Sequence, residues 1–276
     1  MLKSTFHTHS RFDDGACDLE EYVLSALEKG FSVLGFSAHA PVLFDSDWNM
    51  KQETWDEYIA LTQSLKDKYG DRIEIYTGLE TDYYKDCIDW RNKRGIDYTI
   101  GAVHFIQNPE TGKYYAFDGS RQEFEENLEV NFGGDIRRLV AGYYNLVREM
   151  LMKMTPNIVA HLDVIRKNNQ GGRFFDESEE WYREEVLKTL EVVALTQTVL
   201  EINTGGISRG YMTTPYPSRW ILEYCLDMDI PVMVNSDAHH PDALDCYFEE
   251  AYALLRDVGY KSLRILYRGE WKDVGL

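Results

Sequence analysis

One unit recurs along this chain. A short apolar run ends in a polar residue, often histidine, and a helix-patterned stretch follows. The runs fall at residues 3–9, 32–39, 73–80, 98–104, 157–163, 199–204 and 231–237. Continuous apolar runs rich in β-branched residues suit strands buried on both faces, as in parallel sheets. Strands that alternate with helices restrict the chain to an α/β fold, because parallel neighbours need a crossover between them. Seven such units can close into a barrel; one more strand would make the eight-stranded form.

The stretches between the runs carry helical punctuation. Residues 19–27 follow Asp18 as a candidate N-cap and stop at Gly30. Residues 54–69 end at Gly70, and residues 179–196 place Tyr182, Val186, Leu190 and Val193 on one face. A further stripe runs from Ile136 through Leu139, Val140, Tyr143, Tyr144, Val147 and Leu151 to Met154, and Gly133-Gly134 should break an earlier helix starting at Arg121. Residues 218–227 and 243–258 complete the helical set. No Pro/Gly-rich linker divides the 276 residues, so one domain over 1–276 is expected.

Charge and cysteine content narrow the function. A net charge of −18 disfavours a nucleic-acid-tracking protein, which needs a basic face. Cys17, Cys87, Cys225 and Cys246 form no CxxC, so neither a zinc ribbon nor a disulfide framework is indicated. No apolar run reaches the ~18 residues of a membrane span, and the chain opens on its first strand without a leader pattern. A cytoplasmic protein without a membrane partner is expected; oligomeric state is left open.

The histidines decide the chemistry. His7 and His9 alternate on the first strand, so both rings face one side. Asp14 follows, turned back by Gly15. His39 ends the second run, Glu80 the third and His104 the fourth; His161 lies late in the fifth, and Asp237 and His239 end the seventh. Only His240 lacks such a place and reads as a solvated loop residue. Parallel barrels build their sites at the C-terminal ends of the strands. These nine nitrogen and oxygen donors, without thiolate, suit Zn, Mn or Fe. They exceed the three or four ligands of one catalytic zinc, so two or three divalent ions are expected.

The motifs His7-Thr8-His9, Asp14-Gly15, Ser37-Ala38-His39, Gly78-Leu79-Glu80, Gly101-Ala102-Val103-His104, His161, Glu201-Ile202-Asn203-Thr204 and Ser236-Asp237-Ala238-His239 together resemble the PHP (polymerase and histidinol phosphatase) family, most closely its stand-alone phosphatases. The resemblance spans residues 7–241. It implies a distorted (β/α)7 TIM-like barrel with three metals. His7, His9, Glu80 and Asp237 would hold one ion, and Glu80, His104 and His161 a second. Asp14, His39 and His239 would hold the third, with Asp13 as the fallback for Asp14.

Clustered divalent ions suit phosphate ester hydrolysis, with a hydroxide between the Glu80-linked ions as nucleophile. Asp237 or a water on the third ion would serve as general acid. A phosphate also calls for guanidinium donors. Arg166 follows the fifth strand. Arg209 follows the sixth, which offers no metal ligand. Both are candidate phosphate binders, and Arg209, with Asp237 and Glu80, is a candidate catalytic group. In the stretch 107–120, Phe117 and Asp118 are expected to meet a substrate ring and amine. The resemblance makes the substrate L-histidinol phosphate, a small-molecule phosphate monoester of histidine biosynthesis. The alternatives are another small phosphate or nucleotide, or a non-catalytic metal-binding interaction domain.

Overall fold

The computed structural model describes residues 2–276. A seven-stranded parallel sheet forms the centre. Its strands are β1 (Ser4–Thr5), β2 (Val33–His39), β3 (Glu74–Asp82) and β4 (Tyr98–Ala102), then, beyond an antiparallel hairpin of β5 (Phe105–Gln107) and β6 (Tyr114–Ala116), β7 (Ile158–Val159), β8 (Val199–Asn203) and β9 (Val232–Asn235). The order is β1-β2-β3-β4-β7-β8-β9, each strand parallel to its neighbour. A parallel bridge between Thr8 and Ala238 brings the first and last strands together, so the sheet nearly closes on itself. The expected seven-stranded barrel is the observed architecture.

The helices pack outside. They are α1 (Leu19–Glu28), α2 (Trp55–Tyr69), α3 (Arg121–Phe132), α4 (Ile136–Met154), α5 (Glu180–Thr196), the single turn α6 (Gly205–Ser208), α7 (Arg219–Asp227) and α8 (Phe248–Val258). Asp18 and Glu21 form a capping box on α1, and Ser120 and Glu123 form one on α3. Gly133, at φ 62°, ends α3 in the left-handed region. Asp135 then accepts from the Arg137 and Arg138 amides and starts α4. The apolar stripe of α4 is buried from Leu139 to Met154.

Inside the barrel Tyr98 is the central space filler. Its hydroxyl donates to the carbonyls of Phe6 and Phe36 at 2.5 and 2.8 Å. A Cβ at Gly35 or Gly78 would overlap its ring or hydroxyl, so these two glycines admit the tyrosine. Below it, Phe6, Val33, Ile100, Ile158, Val199 and Met233 form an apolar floor. The C-terminal hairpin, β10 (Ser262–Tyr267) with β11 (Glu270–Gly275), covers that floor through Ile265, Leu266 and Trp271. This packing closes the lower end and leaves polar side chains only the upper mouth.

Regular pairing is shorter than the sequence suggests in two places. The run 3–9 pairs as a strand only at Ser4–Thr5, and 157–163 only at Ile158–Val159. Beyond those ladders the backbone bends to aim His7, His9 and His161 at the barrel axis, and side chains replace the backbone partners: Asn235 Oδ1 accepts from the Phe6 amide, and Glu201 accepts from the His161 amide. The last helix begins at Phe248 rather than at 243, because residues 241–243 form a 3-10 turn behind Pro241. Cys17, Cys87, Cys225 and Cys246 are all free.

Candidate metal centre

Glu80 is the hub of the upper mouth. It sits on β3, 1% exposed, with its two oxygens shared among histidines from four other segments. Oε1 lies 3.1 Å from His161 Nε2 and 3.6 Å from His104 Nε2. Oε2 lies 3.0 Å from His7 Nε2, 3.1 Å from His39 Nδ1 and 3.5 Å from His9 Nε2. Asp237 Oδ1 adds a second carboxylate, 3.2 Å from His9 Nε2 and 3.7 Å from His7 Nε2. Asp14 reaches the outer edge, 3.3 Å from His239 Nε2. A Cβ at Gly15 would overlap the backbone of His9 and Ser10, so glycine is what lets this turn close.

The far edges of three rings are held by carboxylates. His7 Nδ1 donates to Glu201 at 2.7 Å, His9 Nδ1 to Asp13 at 2.6 Å, and His104 Nδ1 to Asp82 at 2.6 Å. An ionised carboxylate only accepts, so these bonds put the proton on Nδ1 and turn the Nε2 lone pair inward. Outer carboxylates of this kind orient metal-binding histidines and raise their basicity. His7 Nε2, His9 Nε2 and His39 Nδ1 are buried without a hydrogen-bond partner. Inward lone pairs facing buried carboxylates call for a cation between them, and this donor set fits divalent ions.

The electrostatics show how strongly negative this mouth is: its carboxylates draw protons onto His9 and His104, the place that divalent cations would take. Burial works against charge on His9, yet Asp13 and its neighbours outweigh it and push the ring up to about 10. Burial likewise opposes charge on His104, and Asp82 with other carboxylates lifts it to about 10. Glu80 is held well below the usual carboxylate range: burial would raise it, but His7, His39 and His104 dominate. His39 is lowered by burial, which leaves its ring neutral and able to ligate. Four sets of donor atoms lie close enough to share an ion: His7, His9 and Glu80; Glu80, His104 and His161; His9, Asp14, His39 and His239; and His39, Asp82 and His104.

The structure thus brings together all nine residues expected as metal ligands. Asp13 is not an alternative to Asp14. Its buried carboxylate is used up by His9 Nδ1 and by the amides of Ser10 and His39. Glu201, Asp82 and Asp13 were missed as ring-orienting groups. Glu201 stood in the quoted motif, but nothing in spacing separates an acid that binds an ion from one that holds a ligand. His240 is half exposed and lies 3.5 Å from Asp242, outside the cluster.

The cavity above this cluster has a volume of about 400 Å³, and Arg209, Asp118, Trp48, Lys167 and Tyr216 are in its wall. Arg209 donates to Asp237 Oδ2 and to the Asp237 carbonyl, both at 2.8 Å, and its guanidinium lies 2.8 Å from His239 Nδ1. Asp237 itself stands at φ 50°, a left-handed backbone conformation that costs energy outside glycine. A Cβ at Gly205 would come within 2.8 Å of the Asp237 side chain, so this glycine makes room for it.

Two expected substrate residues lie elsewhere. Arg166 is buried and committed to Asp163 at 2.6 Å, the Pro215 carbonyl at 3.0 Å and Glu177 at 3.5 Å. It borders a different cavity, because the turn after β7 is a 3-10 helix that sends the side chain toward the loop at 212–217. Phe117 is fully buried against Tyr143 and Phe132. The β5–β6 hairpin turns it inward and leaves its neighbour Asp118 facing the cavity.

A parallel barrel whose mouth gathers buried histidines around two carboxylates is a barrel protein built to hold divalent metal. The chain belongs to the PHP domain family, whose model matches residues 5–205. It is 29% identical over 262 residues to a probable histidinol-phosphatase of Deinococcus radiodurans, covering 90% of each chain. It is 28% identical to the histidinol-phosphatase of Bacillus subtilis, covering 87% of this chain and 94% of that one. The fold matches that of a histidinol phosphate phosphatase from Lactococcus lactis, solved with zinc, L-histidinol and phosphate, at a TM-score of 0.71 and 19% identity over 98% of both chains. No helix among the described residues is long and apolar enough to cross a membrane.

Proposed function

We propose that this chain is a metal-dependent phosphomonoesterase that hydrolyses L-histidinol phosphate to L-histidinol and phosphate. The observation that carries the reading is the convergence of carboxylate-held histidines on Glu80 and Asp237 beneath a cavity that also presents a guanidinium. The two curated relatives, each matched over most of its length, support the choice of substrate. A soluble cytoplasmic role in histidine biosynthesis, with the chain acting as one barrel domain, fits the same reading.

His7, His9, Glu80 and Asp237 would hold one ion, Glu80, His104 and His161 a second, and Asp14, His39 and His239 a third. Divalent ions bound there lower the pKa of water and polarise phosphoryl oxygens. The other duties fall to the chain. Arg209 faces the cavity with its guanidinium anchored on Asp237, so it can offer N–H donors to two phosphoryl oxygens without reorganising. Asp118 is a carboxylate in the cavity wall and suits the substrate amine. Trp48, stacked on Phe105 at 4.9 Å between ring centroids, offers the flat apolar face that Phe117 does not.

The test is phosphate release from a panel of phosphomonoesters by metal-replete protein. L-histidinol phosphate should exceed every other ester by at least about tenfold in kcat/KM, a difference of ~1.4 kcal/mol in transition-state binding. A better ester would redirect the substrate assignment. No release from any ester would remove the phosphatase reading.

A further inference from the structure

A second cavity, with a volume of about 470 Å³, adjoins the metal cavity and shares Ser120, Lys167 and Tyr211 with it. Arg121 and Arg173 complete its basic lining. Among the described residues no carboxylate lines this groove, although Asp and Glu outnumber Lys and Arg 47 to 29 in the chain. The metal cavity is the opposite, with Asp14, Glu80, Asp118, Glu123 and Asp237 in its wall.

The three cations have different tethers. Lys167 is fixed at the junction of the two cavities: Nζ donates to the Asp118 carbonyl at 2.5 Å, lies 3.7 Å from the Asp118 carboxylate and sits over the Tyr211 ring at 4.6 Å. Arg121 and Arg173 are exposed and pair with no carboxylate among the described residues. The nearest acid in sequence to Arg121, Glu123, is occupied by the Ser120 amide at 2.7 Å. Other surface arginines are mixed: Arg219 and Arg264 are tied to acids while Arg72 and Arg138 pair with none among the described residues, so what sets this groove apart is its carboxylate-free lining beside the metal cavity. A chain of net charge −18 repels a phosphate dianion at long range, and Arg121 and Arg173, unneutralised beside the metal cavity, offset that field locally.

We propose that this groove is a second phosphate subsite, which receives the phosphate group of the incoming ester and takes inorganic phosphate leaving the metal cavity. The proposal rests on the phosphatase reading for its role in turnover, while phosphate binding in the groove can be measured without turnover.

The experiment is calorimetric titration of metal-loaded protein with inorganic phosphate, beside initial rates with L-histidinol phosphate at low and high ionic strength. The wild-type protein should bind phosphate in two classes of site, and R121E/R173E should lose the weaker class and keep the tighter. At low salt R121E/R173E should lose about tenfold in kcat/KM, with kcat held within about twofold, and the gap should close near ~0.5 M salt. R121Q/R173Q should show the same pattern at smaller size, and it replaces the charge reversal if that variant fails to fold. One class of phosphate site in the wild type overturns the proposal, as does a variant that keeps both classes or a rate loss that ignores salt. Absence of turnover with two phosphate classes intact would remove the phosphatase reading and leave the anion subsite standing.

Discussion

Glu201 Oε1 accepts a hydrogen bond from His7 Nδ1 at 2.7 Å, and both side chains are closed to solvent. The same carboxylate accepts from the His161 amide and from the side-chain amides of Asn203 and Asn235, each at 2.9 Å. One buried acid on β8 therefore sets the ring of His7 and the backbone of His161. Glu201→Gln should weaken metal affinity by about 10–100-fold, the range for groups that orient metal ligands. Titration against a competing chelator measures it. Wild-type affinity in a folded variant would refute the role.

Glu80 should be indispensable to more than one ion, because its two oxygens face His104 and His161 on one side and His7, His9 and His39 on the other. Glu80→Ala should lose about two ions' worth of tight binding, since directly ligating groups and their supports set affinity. Elemental analysis of purified protein checks this. Full metal content with wild-type activity would end the bridging assignment.

Arg209→Met separates substrate binding from metal binding. Removing the guanidinium strips a positive charge from Asp237 and leaves its carboxylate at least as available to a cation, so metal content should hold. Loss of a preorganised donor to the phosphoryl group costs roughly 2–4 kcal/mol of transition-state stabilisation, or about two to three orders of magnitude in kcat/KM. Steady-state kinetics with metal analysis on the same sample reads both. Normal turnover and normal phosphate inhibition would exclude Arg209 from phosphate binding.

Phe117→Ala should act on stability instead of substrate. The ring is wholly buried and packs at 5.3 Å from the Tyr143 ring. Truncating a buried Phe costs about 3–5 kcal/mol. Urea denaturation should show that loss, while KM of the folded fraction stays at its wild-type value. A raised KM without lost stability would return Phe117 to the substrate.

Asp245 ties the start of the chain to the barrel, 2.7 Å from Lys3 Nζ and 2.8 Å from Lys29 Nζ. Burial tends to raise its carboxyl, but Lys29 and then Lys3 outweigh burial and hold it below its ordinary value. A carboxylate depressed in the folded state stabilises fully above its unfolded pKa, about 3.9, and loses that contribution as pH falls through the folded value. Asp245→Asn should therefore cost about 1 kcal/mol at pH 7, and the difference from wild type should vanish in strongly acidic solution. Urea midpoints between pH 3 and 7 test it. A constant difference across that range would deny the ionic origin.

The alternation of buried strands and amphipathic helices was legible in the chain because each signal is local. A strand buried on both faces needs a continuous apolar run, and a helix on a sheet needs a 3.6-residue stripe, whatever the partner. Placing His7, His9, His39, Glu80, His104, His161, Asp237 and His239 at run ends was likewise enough to bring them to one mouth, because parallel strands share a direction. Tertiary structure decided what each polar group faces once there. Asp13 and Asp14 are adjacent in sequence, yet one turn gives the first to His9 and the His39 amide and the second to His239. Arg166 and Arg209 both follow strands, but Asp163 draws one into a buried ion pair while Asp237 holds the other at the cavity. Phe117 and Asp118 part company because the β5–β6 hairpin sends one side chain into the core. Some of these partners are distant in the chain, His39 for Asp13, His239 for Asp14 and Asp237 for Arg209, and even the short pairs Asp13–His9 and Arg166–Asp163 are selected by the folded backbone, which no local pattern specifies.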